Sequence, residues 1–163
     1  MSKANIDIII LDEIDSTNNE AQRVLNYKSN FPFWIIANEQ TSGRGRKNRY
    51  WVSQKGNFMG TFVLEHKIEK QYIPHLSFVT SLALRETIEG FNKGDKEIFL
   101  KWPNDIIIKD SKCAGILIES LKSNSDKEYL AIGIGVNLIN HPSKSSFKAT
   151  SLKKEFNINI GRD

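Results

Sequence analysis

The second half of the chain constrains the fold most, because it contains a series of short apolar segments separated by polar turns. Strands are predicted over residues 98–102, 105–108, 113–121 and 129–138. Asp110 and Ser111 form one predicted turn, and residues 122–127 form another. Neighbouring strands joined by such short turns pair antiparallel. This part of the sequence therefore predicts a largely antiparallel sheet.

The first half adds helices and further strands. Strands are predicted over residues 6–11, 33–37 and 58–64, and helices over residues 74–91 and, later in the chain, 150–156. Another helix is predicted to begin at Ser16 or Thr17, where Thr17 and Glu20 have the spacing of a capping box. The expected fold class is α+β: a mixed, largely antiparallel β-sheet layered with helices, in a single domain over residues 1–163.

Composition sets limits on compartment and partners. The 163 residues are 39% apolar, which is enough for a real core, and the net charge of +4 is too small to require a polyanionic partner. A single cysteine excludes an internal disulfide and fits a reducing cytosol. The N-terminal residues lack the apolar segment of a signal peptide, and no apolar run approaches the roughly 20 residues of a membrane span. We therefore expect a cytoplasmic protein without a membrane partner.

Residues 40–51, Gln-Thr-Ser-Gly-Arg-Gly-Arg-Lys-Asn-Arg-Tyr-Trp, form a glycine–arginine loop. Glycine lets a ligand approach backbone N–H groups, and arginine matches the oxygens of carboxylates and phosphates. The loop is neither a P-loop nor a dinucleotide fingerprint, since Asn48 occupies the third glycine position. We expect a mobile anion-binding loop, with a solvated basic loop or a nucleic-acid patch as the alternatives.

Three other polar features interrupt the predicted strands. Residues 101–105, Lys-Trp-Pro-Asn-Asp, separate two strands, Lys112 precedes an apolar strand, and Gly133 and Gly135 lie within another. A ligand site would explain each of them. Each feature also has a structural explanation: a proline turn over a packed tryptophan, an edge lysine that favours solubility, and a β-bulge, respectively. Considered singly, none of these features decides between binding and structure.

Considered in order, these motifs closely resemble those of the biotin–protein ligases. The resemblance extends from about residue 12 to residue 152 and includes Asp-Ser-Thr-Asn at 15–18, the glycine–arginine loop, residues 101–105, Lys-Cys-Ala-Gly-Ile-Leu at 112–117, and residues 133–137. Lipoate ligases and octanoyl transferases are more distant relatives of the same catalytic fold. The resemblance implies an ATP-dependent biotin–protein ligase. Such an enzyme forms biotinyl-5′-AMP with release of pyrophosphate, and then transfers biotin to a lysine of the biotin carboxyl-carrier domain of a carboxylase.

The resemblance also implies roles for individual residues. Lys112 and Arg46 would be catalytic. Biotin would be bound by Ser16, Thr17, Gln40, Gly43, Arg44, Lys112, Gly115 and Gly133. ATP and the adenylate would be bound by Arg46, Arg49, Trp51, Lys101, Asn104, Asp105, Lys112 and Asn137. No metal would be bound permanently, and Mg²⁺ would arrive with ATP, near Asp105.

The chain departs from the family pattern in two respects. Many relatives have glycine where this chain has Asn48; asparagine tolerates positive φ, so we expect the loop to survive the change. Relatives also continue into a small barrel-like domain, whereas this chain stops at Asp163. At the other end there is no room for a helix-turn-helix domain, so no DNA binding is expected. The alternatives are a module that binds biotin or its adenylate without turnover and a nucleic-acid-binding domain; the oligomeric state is not indicated.

Overall fold

A computed structural model describes residues 6–92, 96–143 and 147–158. In these residues one sheet contains β1 (Asp7–Ile14), β2 (Phe33–Gln40), β3 (Phe58–His66), β4 (Ile98–Lys101), β5 (Asp105–Ile108), β6 (Ser111–Leu121) and β7 (Glu128–Val136). The helices are α1 (Thr17–Val24), α2 (Leu76–Glu89) and α3 (Leu152–Phe156). The strand order is β1-β2-β3-β7-β6-β5-β4. The pair β1–β2 is parallel and the others are antiparallel, which confirms the predicted α+β class.

The parallel pair follows from α1, which connects β1 to β2 and packs against one face of the sheet. A parallel pair requires a crossover of this kind, because a tight turn can only reverse the chain. Ala21 of α1 is fully buried in a core cluster with Phe33, Ile35, Val63 and Ala131. Since side chains alternate between the two faces of a strand, this pattern fixes which residues of β2, β3 and β7 lie on the face that carries α1.

The opposite face of the sheet carries the second core cluster. Ile106 of β5, Ala114 of β6 and Val136 of β7 pair in register and pack there with Ile88 of α2 and Leu152 of α3. Because α2 and α3 cover this face over β4 to β7, the first face is left for a ligand along the same strands.

A bulge between β5 and β6 determines where Lys112 points. The register passes from Ile106 opposite Ala114 to Ile107 opposite Lys112, so Cys113 is an extra residue on β6. Without the bulge, Lys112 and Gly115 would lie on opposite faces, because they are three residues apart. With it, the Lys112 amine comes within 3.2 Å of the position that a Cβ on Gly115 would occupy.

Several predicted boundaries change. The capping box of Thr17 and Glu20 is wrong: Ser16 is the N-cap residue and Thr17 is already helical, with its hydroxyl 3.1 Å from Gln40 Oε1. The helix predicted over residues 74–91 spans Leu76–Glu89. It starts later than predicted because Pro74 lies in the preceding 3-10 segment, Lys70–His75. No helix in the described ranges is long and apolar enough to cross a membrane.

Candidate functional site

A cavity of about 430 Å³ gathers most of the predicted site residues on the face of the sheet that carries α1. The start of α1, the end of β2, the glycine–arginine loop and the central parts of β6 and β7 line it, together with the segment between β4 and β5. A larger depression of about 590 Å³ borders His141, Lys148 and Lys154 and contains none of the predicted site residues. The smaller cavity is therefore the candidate site.

One end of the cavity, the polar end, is lined by three uncharged side chains, Thr17, Asn18 and Gln40, and supported from behind by a fourth, Thr61. All four are at least nine-tenths buried. The Gln40 Oε1 atom accepts a hydrogen bond from the Thr17 backbone N–H at 2.8 Å, and Gln40 Nε2 donates to Ser53 at 2.8 Å. The Thr61 hydroxyl lies 2.8 Å from that of Thr17 and 2.6 Å from Asn18 Oδ1. These contacts hold uncharged donors and acceptors at fixed positions beside the cavity.

Glu119 of β6 connects the polar end to the loop. Its Oε2 atom accepts hydrogen bonds from Asn18 Nδ2 and from Arg44 Nη2, each at 2.8 Å. The side chains of Arg44 and Glu119 are 36% and 31% exposed, so solvent weakens this ion pair. Within the cavity, Arg44 is therefore already paired with an acid, whereas Arg46 and Arg49 have no salt bridge to any residue that the structure describes.

Two glycines of β7 leave room for side chains that cross the sheet surface. A Cβ on Gly133 would lie 2.4 Å from Asn18 Oδ1, and one on Gly135 would lie 2.6 Å from the indole of Trp51. Both distances are shorter than real Cβ contacts allow. The two glycines thus let Asn18 and Trp51 lie directly on the strand, which is the close approach that glycine in a strand often indicates.

The other end of the cavity, the basic end, is centred on Lys112. The Lys112 amine lies 2.6 Å from Asp105 Oδ1 and within 5.3 Å of the centres of the Trp51 and Phe147 rings. The lysine and aspartate side chains are only 16% and 22% exposed. Asp105 Oδ1 makes no directional hydrogen bond within the described residues, so its contact with Lys112 is a charge contact. A lysine held this way can exchange its carboxylate partner for the oxygens of an anionic ligand.

The glycine–arginine loop is a closed turn. The Gly45 N–H donates to the Arg49 carbonyl at 2.7 Å, and the Trp51 N–H donates to the Gly43 carbonyl at 2.9 Å. Between them, Arg46–Asn48 forms a single 3-10 turn. Within this turn Lys47 has a positive φ, 55°. We expected the positive φ at Asn48, where many relatives have glycine, so the expected conformation occurs one residue earlier. The turn exposes Arg46 and Arg49 at the cavity mouth.

Most of the predicted site residues line this cavity. They are Thr17, Gln40, Arg44, Arg46, Arg49, Trp51, Lys101, Asn104, Asp105, Lys112, Gly115 and Gly133. Ser16, Gly43 and Asn137 are not among its lining residues. Ser16 is the buried N-cap residue of α1, and Gly43 lies too close to Trp51 and Ser53 to accommodate a Cβ. The predicted nucleotide contact of Asn137 has no support in the geometry, because its buried amide donates to the Thr150 carbonyl at 3.0 Å.

Sequence reasoning assigned no role to Asn18, which lines the cavity, or to Thr61 and Glu119, which hydrogen-bond to it. Gly135 was recognised as a glycine within a strand, but Trp51 was not predicted as the side chain that uses its space. Thr61 and Glu119 had a signal of a different kind, because each is a polar residue in a mainly apolar predicted strand. Such a residue must find a partner when the strand is buried.

Cys113 and His66 are accounted for by the core and by a local hydrogen bond. Burial raises the pKa of the Cys113 thiol to about 12, so this cysteine is neutral at physiological pH and behaves as a core residue. His66 accepts a hydrogen bond from the Ile68 N–H at 3.1 Å. In the described ranges, no group of three or more His, Cys, Asp or Glu side chains could hold a metal ion.

Comparison with known proteins identifies the class that this fold and cavity define. Residues 11–137 match the model of the biotin/lipoate A/B protein ligase family, and the chain belongs to that family. The sequence is 41% identical to the biotin–[acetyl-CoA-carboxylase] ligase of Paracoccus denitrificans over 133 residues, which are 82% of this chain and 55% of the relative. It is 33% identical to the bifunctional ligase/repressor BirA of Bacillus subtilis over 137 residues, 83% of this chain and 42% of the relative. The chain thus spans about half the length of these curated relatives.

Solved structures show the same likeness. The biotin protein ligase of Leishmania major in complex with biotinyl-5-AMP superimposes with a TM-score of 0.80 at 32% identity, over 93% of this chain and 65% of the other. The ligase of Aquifex aeolicus in complex with biotin and ATP gives a TM-score of 0.79 at 31% identity, over 96% and 63%. The seven-stranded sheet and its helices are therefore the catalytic fold of biotin protein ligases.

Proposed function

We propose that this protein is a biotin–protein ligase that activates biotin with ATP and transfers it to a lysine of a carrier protein. The observation that carries the proposal is the arrangement of the cavity. An uncharged polar end lies in the same cavity as a basic end that contains Lys112, Arg46 and Arg49. A ligand that fills it should have a neutral hydrogen-bonding head and an anionic tail, which describes biotin with its urea ring and carboxylate.

The polar end suits the urea ring. A cyclic urea has two N–H donors and one carbonyl acceptor, and carries no charge. Thr17 and Gln40 offer both kinds of group and are already held in place by their mutual contacts. Because these side chains are ordered before ligand binds, little conformational entropy is lost when the ring enters.

The basic end suits formation of the adenylate. The biotin carboxylate and the α-phosphate of ATP repel each other, so the first step depends on positioning them and neutralising their charge. Lys112 is well placed for this role, because its amine lies in a narrow space among Asp105, Trp51 and Phe147. Attack of the carboxylate oxygen on the α-phosphorus forms the acyl phosphate bond and releases pyrophosphate.

Asp105 would hold the Mg²⁺ ion that accompanies ATP at this site. The carboxylate lines the cavity and its Oδ1 atom makes no directional hydrogen bond with the described residues. Mg²⁺ in nucleotide sites is commonly held by one or two carboxylates together with phosphate oxygens, which agrees with a single aspartate here. The bound ion would neutralise phosphate charge. Asn104 offers its amide oxygen to the same region, since its Nδ2 atom already donates to the Ile116 carbonyl at 2.7 Å.

In the second step the nucleophile belongs to the carrier protein. Its lysine amine would attack the acyl carbon of the adenylate, form an amide and release AMP. The step thus needs no nucleophile from this chain, and the buried, neutral Cys113 does not line the cavity. The names of the relatives point to the carrier domain of a biotin-dependent carboxylase as the acceptor.

The test measures each step separately. The protein should release pyrophosphate when both biotin and ATP are present, and should attach biotin to a carrier domain only when ATP is added. Omission of biotin is the control for hydrolysis of ATP alone. Binding of biotin without pyrophosphate release would identify a biotin-binding module instead. Absence of both would disprove the proposal.

A further inference from the structure

Glu119 is an acid that contacts the polar end of the cavity, through Asn18, as well as the glycine–arginine loop, through Arg44. A single oxygen, Oε2, receives hydrogen bonds from Asn18 and from Arg44, both at 2.8 Å. An ionised carboxylate can only accept hydrogen bonds. Both neighbours must therefore direct donors toward Glu119, and for Asn18 this requirement fixes the orientation of the amide.

The amide of Asn18 cannot turn over. Its Nδ2 atom lies 2.8 Å from Glu119 Oε2 and 3.4 Å from the Leu117 carbonyl oxygen, and both of these atoms are acceptors. A rotated amide would place Oδ1 against both of them in a side chain that is only 5% exposed. Asn18 Oδ1 is thus directed to the hydroxyl of Thr61, at 2.6 Å.

The orientation of Asn18 also fixes the hydroxyl of Thr61. That hydroxyl has one proton, and it goes to Asn18 Oδ1, which can only accept. The Thr61 hydroxyl also lies 2.8 Å from that of Thr17, whose own hydroxyl donates to Gln40 Oε1 at 3.1 Å. Gln40 Oε1 accepts a second hydrogen bond from the backbone N–H of Thr17 at 2.8 Å. Glu119 thus fixes Asn18 and Thr61, whereas Thr17 is held by Gln40.

We propose that Glu119 is a positioning residue for biotin recognition, because it holds the Asn18 amide in one orientation at the polar end of the cavity and, through that amide, the hydroxyl of Thr61. The inference rests on the proposed function. Asn18 lines the cavity beside Thr17, so a turned amide would exchange a hydrogen-bond acceptor for donors at the polar end. Without an acceptor at position 119, the Asn18 amide can turn, and the Thr61 hydroxyl then loses Asn18 Oδ1 as its acceptor.

A double-mutant cycle that exchanges the amide and the carboxylate tests the coupling between Asn18 and Glu119. Asn18→Asp places a carboxylate against Glu119 and removes the donor, so the Kd for biotin should rise about 10-fold or more. Glu119→Gln keeps an acceptor oxygen for Asn18 and Arg44, so the Kd should change by about threefold or less. In the double variant, the amide introduced at position 119 can donate to the carboxylate introduced at position 18, whose other oxygen still accepts from Thr61. Biotin affinity should then return to within about threefold of the parent.

The controls separate this role from a general loss of structure. Calorimetric titration gives the Kd for biotin, and initial rates give the KM for ATP, which should stay within about twofold in every variant because the basic end is unchanged. Glu65→Gln removes another strand carboxylate, paired with Lys127 at 2.8 Å outside the cavity, and should leave both constants at the parental value. Glu119→Ala serves if Asn18→Asp does not fold, and should weaken biotin binding about 10-fold with an unchanged KM for ATP.

The two failures can be distinguished. A parent protein that does not bind biotin would disprove the proposed function and the role of Glu119 together. If the parent binds biotin but the double variant shows the product of the two single effects, no coupling exists and only the role of Glu119 is disproved. Parental biotin affinity in Glu119→Ala would lead to the same conclusion.

Discussion

The polar end of the cavity consists of buried side chains that bond to one another, whereas most charged groups of the basic end are exposed. Thr17, Asn18 and Thr61 are at most 5% exposed. Arg46, Arg49 and Lys101 are exposed, and none of them forms a salt bridge within the part of the chain that the structure describes. Folding therefore completes the polar end, whereas the exposed cations of the basic end are positioned to meet an anionic ligand.

This difference predicts which substitutions affect which ligand. A change at the polar end should alter biotin affinity, since the network there is rigid and a single misplaced group leaves others without partners. A change at the basic end should alter ATP affinity or the adenylation rate. Lys112 is the exception in the basic end, because it is mostly buried and already paired.

The largest effect is expected for Lys112→Ala. Loss of a charge contact in a partly dry site is worth about 2–4 kcal/mol, so pyrophosphate release should slow by about 30- to 900-fold. Biotin affinity should change far less. Lys127→Ala, which removes an ion-paired lysine outside the cavity, is the matched control and should keep the parental rate. A rate for Lys112→Ala within about threefold of the parent would remove this residue from the mechanism.

A smaller and more selective effect is expected from the two glycines of β7. Gly133→Ala collides with Asn18 and should raise the Kd for biotin, whereas Gly135→Ala collides with Trp51 and should raise the KM for ATP. Overpacking costs about 1–3 kcal/mol, or about 5- to 150-fold. In Gly90→Ala, at the end of α2, the added Cβ meets no atom closer than 3.3 Å, so this variant is the control. If both variants weakened the same ligand, the separation of the cavity into two ends would be wrong.

Arg46→Ala should have a moderate effect that depends on salt. The side chain is exposed, so its attraction for phosphate is screened: the Debye length falls from about 10 Å at 0.1 M salt to about 3 Å at 1 M. We expect the KM for ATP to rise about fivefold at low salt and to differ little from the parent at high salt. The adenylate should also escape more readily and label lysines of bystander proteins.

The control for this prediction is Arg85→Ala, which removes an arginine of α2 that is paired with Glu89. It should show neither the change in KM nor the indiscriminate labelling. An increase in KM for Arg46→Ala that persists unchanged at 1 M salt would show that this arginine makes a direct, desolvated contact with the nucleotide.

The smallest effect is expected for Cys113, the immediate neighbour of Lys112. Burial raises its pKa from 9.0 to about 12, so the thiol stays neutral in the folded protein where an unfolded chain would ionise. The contribution of this thiol to the free energy of unfolding is fully present below pH 9 and is lost as the pH rises from 9 towards 12. Alkylation by iodoacetamide at about pH 8 should occur only through unfolding, and Cys113→Ala should keep the parental rate of adenylation. Rapid alkylation of the native protein would show that the thiol is accessible.

The sequence was sufficient for the fold because the strands are strongly apolar and their connections are short. The predicted segments at 33–37, 105–108 and 113–121 correspond closely to β2, β5 and β6. The bulge at Cys113 could not be predicted, since it depends on how β5 and β6 pair. Without the bulge, strand alternation would have placed Lys112 on the face opposite Gly115.

For the site, motifs were informative about residues that are close in sequence and uninformative about partners on distant strands. Thr17 and Gln40 were predicted because they belong to motifs, and both line the cavity. Glu119 and Thr61 were not, because their importance follows from the side chains that the sheet brings next to them. Asn137 also belongs to a motif, yet its amide bonds to Thr150 in a segment that returns to the sheet.

The hydrogen bond between Asn18 and Glu119 also has a consequence for the order of folding. The two residues are 101 positions apart, and between β1 and β6 the order of strands in the sheet is β2, β3 and β7. Closing so long a segment costs chain entropy, which is offset only by the contacts of a nearly complete sheet. During synthesis, α1 and the first strands emerge well before Glu119, and β7 is the last of the seven strands to emerge. A chain on the ribosome should therefore be unable to bind biotin until β7 has joined the sheet, which makes biotin binding a reporter of finished folding.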